Sequence, residues 1–343
     1  MMASGQVSAG PATLRDVAEA AGVSVATASK ALSGRHPVRA ATREKVERAA
    51  ARLDFRPNIL ARDLANRRTG TIGLITNDLD GRFSIPILMG AEDAFGEGQL
   101  NILLSDARGD AFRERHHLER MLARRVDGLL MVGSRTDPRP GVGLDLPVPI
   151  VYVYAPAEDP ADASVAADNA FAGRLVTEHL LELGRRHVAH IGGDPSYAAA
   201  RDRLAGIEGR LAEDGLELTG PAMQFGTWSE EWGRARMDAI LDGNSEVDAV
   251  ICASDQIARG ALDALRDRRI GVPDQIAVAS FDNWEILATG PRPQLTSVDM
   301  RFQEMGRLAA RFLFDAIDGR PHSGLTLVEG HLVVRGSTVP GLA

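Results

Sequence analysis

Apolar residues recur at helical spacing over the first seventy positions, and in short strand-like runs after that. In TLRDVAEAA, residues 13–21, Leu14, Val17, Ala18 and Ala21 fall at i, i+3, i+4 and i+7 on one face. Thr13 stands at the N-cap and Asp16 in the first turn, so the pattern predicts a short amphipathic helix. Gly22 follows where a left-handed C-cap is wanted, then Val23, then Ser24 as the next N-cap before VATASKAL. A third helix is predicted from about Thr42 to Leu53, with Val46, Ala49, Ala50 and Leu53 inside, ending before Pro57. Three short helices thus share one small core over residues 13–57, preceded by a leader, residues 1–12, expected to be disordered.

Residues 58–68, NILARDLANRR, read as a weak helix in which Leu60 and Leu64 have little to bury against, so residues 58–70 are expected to form a hinge. From Thr71 the texture changes. Apolar runs TIGLI, NILLS, GLLMV, PIVYVY, HVAHIGG, AVICAS and IAVASF alternate with helical segments near 84–96, 111–124, 170–184, 201–214, 229–242, 256–268 and 300–317. This is the signature of an α/β fold with parallel sheets. The expected architecture is a small all-α head on a two-lobed α/β core spanning 71–343. Lobe 1 is expected over about 71–169 and 297–325, and lobe 2 over about 170–296 and 326–343.

Charge sharpens this division. The 343 residues carry a net charge of −8, yet residues 1–70 hold 12 Lys and Arg against 6 Asp and Glu, while the remainder holds 27 against 41. A basic head on an acidic body is the electrostatic footprint of a polyanion-binding module attached to a domain with another task. The composition, 44% hydrophobic and 25% charged, is that of a globular protein, and no apolar run approaches the roughly 20 residues of a membrane span. The leader has no export-signal pattern, so a cytoplasmic location is expected. The single cysteine, Cys252, excludes an internal disulfide and is expected in a buried strand.

Two helices joined by a tight turn suit the major groove, where exposed residues early in the second helix must be small or polar to approach base edges. Those are Val25, Ala26, Thr27, Ser29 and Lys30, with Ala28 and Leu32 facing inward and Arg35, Arg39 and Arg43 near the phosphate backbone. The chain from Thr13 onward resembles the lactose-repressor (LacI/GalR) family of bacterial regulators. The resemblance is carried by TLRDVAEAAGVSVATASKALSG, TREKVERAAARLDFRPN and ARDLANRRTGTIGLI. It implies a DNA-binding head, a hinge helix that folds on DNA in the dimer, and a core similar to periplasmic sugar-binding proteins. It also implies that Leu64, with Ala61 beside it, wedges into the minor groove at the operator centre, an act that unstacks a base step. The expected DNA-contacting set is therefore Thr13, Ser24, Val25, Ala26, Thr27, Ser29, Lys30, Arg35, Arg43, Asn58, Ala61 and Leu64. Ser29–Lys30 replaces a Ser–Arg pair found in many members, and a lysine cannot fork onto guanine as arginine does.

In a two-lobed core the ligand sits at the carboxyl ends of the strands. Candidates there are Asp78, Phe83, Tyr154, Asp255 and Asp282, together with Arg203 and Trp228, which the resemblance places at the ligand. Carboxylate and guanidinium groups suit vicinal hydroxyls and an indole face suits a sugar's C–H face, so a sugar effector is favoured. Asp78 and Asp255 also read as helix N-caps, Arg203 as an ion-pair partner and Trp228 as rim packing. The expected partners are operator double-stranded DNA, a small-molecule effector and a second copy of the chain, so that a homodimer meets a near-palindromic operator. Ligand closure or rotation of the lobes would then alter hinge spacing and DNA affinity.

Other chemistry finds no footing. His187 and His190, three apart on a strand, face opposite sides, and His116 and His117 diverge on a helix, so no metal is expected. Gly192–Gly193 lacks the spacing of a dinucleotide fingerprint, no phosphate loop or nucleophile elbow occurs, and neither cofactor nor catalysis is expected. The alternatives are a sugar receptor with no DNA role, a nucleoside- or purine-responsive regulator, and an enzyme carrying a regulatory head.

Overall fold

A computed structural model describes residues 12–33, 38–53, 55, 68–79, 82–95, 101–143, 146–220, 225–243 and 246–342. The chain forms two compact units, Met1–Thr69 and Gly70–Ala343.

In the first unit, helices α1 (Leu14–Ala21), α2 (Val25–Ser33) and α3 (Ala40–Arg52) enclose Val17, Ala18, Ala21, Ala28, Ala31, Val46, Ala49 and Ala50. The small residues let three short helices approach closely enough to exclude water. Thr13 and Asp16 form a reciprocal capping box: the Thr13 N–H donates to Asp16 Oδ2 at 2.7 Å, and Thr13 Oγ1 accepts from the Asp16 N–H at 3.4 Å. Gly22 closes α1 at φ 62°, donating to the carbonyls of Ala18 and Glu19, in a conformation where a side chain would be strained. Ser24 Oγ accepts from the Thr27 N–H at 3.1 Å and starts α2. Helix α3 begins at Ala40, two residues before the predicted start, since Ala40 and Ala41 are strong helix formers. The predicted leader through residue 11, Arg35 and the hinge positions Asn58, Ala61 and Leu64 lie outside the described residues.

The second unit contains two sheets. The lobe 1 sheet comprises β1 (Thr71–Thr76), β2 (Asn101–Asp106), β3 (Gly128–Val132), β4 (Ile150–Val153), β5 (Ala163–Ala167) and β10 (Gly324–Val328), in the order β10-β5-β4-β3-β1-β2, and every pairing is parallel. Helices α4 (Ser84–Phe95), α5 (Ala111–Ala123) and α11 (Phe302–Ile317) pack around it. Lobe 2 comprises β6 (Val188–Ile191), β7 (Ala249–Cys252), β8 (Ala277–Phe281), β9 (Thr296–Asp299) and β11 (His331–Val333), in the order β11-β9-β8-β7-β6, with β11 alone antiparallel. Its helices are α6 (Asn169–Glu182), α7 (Ala198–Glu213), α8 (Glu230–Asp242), α9 (Asp255–Asp267) and α10 (Glu285–Thr289). Burial on both faces of β1, β3, β4, β6, β7 and β8 explains their uninterrupted apolar runs. Cys252 is fully buried in β7.

Two lobe boundaries differ from expectation. Residues 297–299 were expected in lobe 1, but β9 pairs with β8, so the chain crosses after Asp299. The reason is polar: Thr296 and Ser297 are fully buried, and their hydroxyls find partners only there, Thr296 Oγ1 with Thr338 Oγ1 at 2.7 Å and Ser297 Oγ with Asp255 Oδ1 at 2.6 Å. Likewise β10 pairs with β5 through Val328, so the return lies at 329–330 and not at 326.

Candidate functional site

The head presents the amino-terminal part of α2 outward. Val25 is 44% exposed, and Ala26, Ser29 and Lys30 are exposed, whereas Ala28 and Ala31 are buried and Leu32 is half-buried. Small exposed side chains on one face allow close approach to base edges. Thr13, Ser24 and Thr27 are engaged locally, because Thr13 and Ser24 cap α1 and α2 and the Thr27 hydroxyl lies 2.8 Å from Ser24 Oγ. Arg43 is half-buried on α3, and its Nε has no acceptor among the described residues.

In the second unit, the carboxyl ends of both parallel sheets face one another across a cleft. Contacts between the lobes mark it: Arg201 Nη2 donates to Asp137 Oδ1 at 3.1 Å, the Ala198 N–H donates to the same carboxylate at 3.1 Å, and Arg135 stacks 4.1 Å over the Tyr197 ring. On the other flank, Arg82 Nη2 reaches Gln256 Oε1 at 3.4 Å.

Arg203 and Asp282 come together deep in lobe 2. Arg203, on α7, is 3% exposed; its Nε donates to Asn169 Oδ1 at 2.9 Å, Nη1 to the Ala253 carbonyl at 2.5 Å and Nη2 to Asp282 Oδ1 at 3.0 Å. Its guanidinium lies 4.7 Å from the centroid of the Phe281 ring. Every partner thus sits at a strand end or helix start: Ala253 after β7, Phe281 and Asp282 at the end of β8, Asn169 at the start of α6. The approach of α6 to α7 sets this reach. A Cβ on Gly173 would meet the Arg203 carbonyl oxygen at 2.2 Å, and one on Gly206 would meet that of Ala170 at 2.0 Å. Asp282 and Asn283 both adopt positive φ, 94° and 47°, which for side-chain-bearing residues is strain held by the surrounding fold.

Opposite, on lobe 1, Phe83, Tyr154 and Phe302 form an aromatic cluster with ring centroids 4.7 to 5.9 Å apart. Burial drives the Tyr154 phenol far above its usual range, so it stays neutral. Asp78 is half-buried; its N–H donates to Thr76 Oγ1 at 3.2 Å and its carbonyl accepts from Ser84 Oγ at 2.8 Å, and it stands six residues before α4, too far to be that helix's N-cap. Trp228 lies against Gly193, where a Cβ would sit 2.4 Å from the indole, and its edge meets Tyr197 at 5.6 Å. The Trp228 Nε1 is buried with no acceptor among the described residues.

Asp255 is not at the cleft surface. It is fully buried, with Oδ1 accepting from Ser280 and Ser297 at 2.6 Å each and Oδ2 from the Trp284 N–H at 2.7 Å, so both oxygens are engaged inside the lobe and neither reaches its surface. The N-cap of α9 is Ser254, one residue earlier. Burial, with Asp282 nearby, pushes the Asp255 carboxyl up to about 6. Asn169, Phe281, Arg82, Asp137 and Tyr197 were missed in sequence. Only Asn169 carried a local signal, in the ADN text that follows a strand.

A helix-turn-helix head joined to a two-lobed receptor with a polar cleft defines the class of ligand-responsive DNA-binding regulators. Residues 13–58 match the bacterial regulatory proteins of the lacI family, and residues 177–338 match the periplasmic binding protein-like domain. The chain is 36% identical over 335 residues to the HTH-type transcriptional regulator CelR of Thermobifida fusca, covering 95% of this chain and 98% of that protein. It is 30% identical over 302 residues to catabolite control protein A of Staphylococcus xylosus, covering 88% and 91%. Among solved structures, the lac repressor dimer bound to operator and the anti-inducer ONPF superimposes with a TM-score of 0.68 at 28% identity, covering 96% of this chain and all of that one. A complex of CelR with cellobiose gives 0.65 at 31% identity, covering 95% and 99%. The chain belongs to the lacI family of transcription regulators, which are not enzymes. No helix among the described residues is long and apolar enough to cross a membrane.

Proposed function

We propose that the chain is a dimeric repressor of carbohydrate-uptake or catabolic genes, whose affinity for a near-palindromic operator is set by a small sugar bound between the lobes. The observation that carries this reading is the Arg203–Asn169–Asp282 cluster at the cleft floor, facing aromatic groups on lobe 1. A planar donor held by a carboxylate offers paired hydrogen bonds to vicinal hydroxyls, and Phe83 and Trp228 offer faces to a sugar ring. The relation to CelR, a protein solved with cellobiose, supports the sugar class. Val25, Ala26 and Ser29 would read base edges, Lys30 would reach a base or a phosphate, Arg35 and Arg43 would hold phosphates, and Asn58, Ala61 and Leu64 would engage the operator centre. Lobe closure would act on the head by changing the population of DNA-competent dimers.

A thermal-shift series on the full chain with neutral sugars and with nucleosides tests the effector class. A saturable rise in melting temperature with a sugar is expected, lost in Arg203→Met. A rise with nucleosides alone would overturn the sugar reading.

A further inference from the structure

The cleft charges do not balance in the way its hydrogen bonds do. Arg203 is matched by Asp282, and Asp255 is consumed by two hydroxyls and a backbone N–H. Arg82 has no such match among the described residues. It follows β1 at the carboxyl edge of lobe 1, is half-buried, and reaches across to Gln256 of α9 through one long 3.4 Å hydrogen bond. Its guanidinium carbon lies 6.0 Å from the centroids of Phe83 and Trp284, at the outer limit for cation–π attraction. Its Nη1 is buried with no acceptor among the described residues, and none of its contacts with them is an ion pair. Among the described residues this half-buried cation, with Nη1 itself buried, meets only aromatic edges and one neutral amide, and so lacks the counter-charge that cations withdrawn from water normally carry. A neutral sugar hydroxyl would supply an acceptor for Nη1 but would leave the charge unpaired, whereas an anionic oxygen answers both needs.

We infer that the effector carries an anionic group, a carboxylate or a phosphate, which pairs with Arg82 while its hydroxyls meet the Arg203 cluster. The inference rests on the proposed sugar-responsive reading and narrows it. Position also supports it. Arg82 contacts residues after β8 and at the start of α9, and Arg203 contacts the ends of β7 and β8, so one ligand lying across these strand ends meets both.

Calorimetric titration of the full chain with cellobiose, cellobionate and cellobiose 6-phosphate tests it. The expected result is that at least one anionic form binds ten-fold or more tighter than cellobiose. Arg82→Met should abolish that preference, bringing the three affinities within about two-fold of one another, and Arg82→Lys should retain part of it. Which anion is preferred separates carboxylate from phosphate. Binding of cellobiose as tight as both anions, or an equal loss for all three in Arg82→Met, would overturn the anionic class and leave the sugar reading standing. Binding of none of the three would overturn both.

Discussion

Nη2 of Arg203 lies 3.0 Å from Oδ1 of Asp282, with both side chains 4% exposed. A buried pair of this kind contributes little net stability relative to an apolar replacement, but losing one partner strands a charge, at a cost of about 3–5 kcal/mol. Asp282→Asn keeps the shape and removes the charge, so it is expected to lower the urea midpoint and impair effector response. Arg203→Met should be better tolerated in folding than Asp282→Ala while losing effector binding as fully. Equilibrium urea unfolding alongside ligand titration checks the order.

The crossing of α6 and α7 makes a second prediction. With a built Cβ only 2.0 Å from the Ala170 carbonyl oxygen, Gly206→Ala must push the helices apart. The expected cost is about 1–3 kcal/mol, together with weaker effector binding, because Asn169 and Arg203 sit on the two helices being separated. Gly209→Ala, where a Cβ meets nothing, should be neutral or slightly stabilising.

In the head, capping and DNA contact should separate experimentally. Thr13→Ala removes the capping box of α1 and should cost about 1 kcal/mol of head stability. Lys30→Met should leave melting nearly unchanged while reducing the dependence of log affinity on log salt by about 1. Melting curves and DNA titrations at four salt concentrations distinguish the two effects.

Acid titration should expose two buried groups of opposite sign. Burial holds His190 down to about 4, below its ordinary 6.5, so the folded state loses stability as pH falls from 6.5 toward 4. Asp255, held up to about 6 from 3.8, does the reverse: its folded form takes up a proton first, and stability is lost as pH rises from 4 through 6. Between pH 4 and 6 the two slopes oppose. In His190→Gln the residual slope should be that of Asp255, so the variant gains stability relative to the parent as pH falls, by an amount on the order of 3 kcal/mol at pH 4. Parallel pH–stability curves for the two proteins would contradict this.

Much of the fold was legible because its cause is local. Helix starts at Thr13 and Ser24, the Gly22 turn and the long apolar strands each follow from a few neighbouring residues. Strand β5 was not read as one: ASVAA is composed of small residues with little hydrophobic contrast, yet all five are buried. Strand β9 was assigned to the wrong lobe because its place is decided by Ser337, Thr338 and Asp255, all distant in sequence. The site divides in the same way. Arg203, placed by the family resemblance, and Asp282, placed by the strand-end rule, form an ion pair that neither signal shows, and Asp255, chosen by the same strand-end rule, is fully buried. Asn169 acquires its partner only when α6 packs on α7, 34 positions further on, and Arg82 acquires its own only where the two lobes meet at Gln256, 174 positions away.

The central claim is that the cleft controls DNA binding. The most direct test takes a near-palindromic duplex selected by the full chain from random DNA and measures its dissociation constant with and without a saturating sugar known from thermal shift to bind. Coupling of about 1–3 kcal/mol between sites corresponds to a 5–150-fold change in affinity. A change within that range is expected, abolished in Arg203→Met. An unchanged dissociation constant with the sugar demonstrably bound would contradict it.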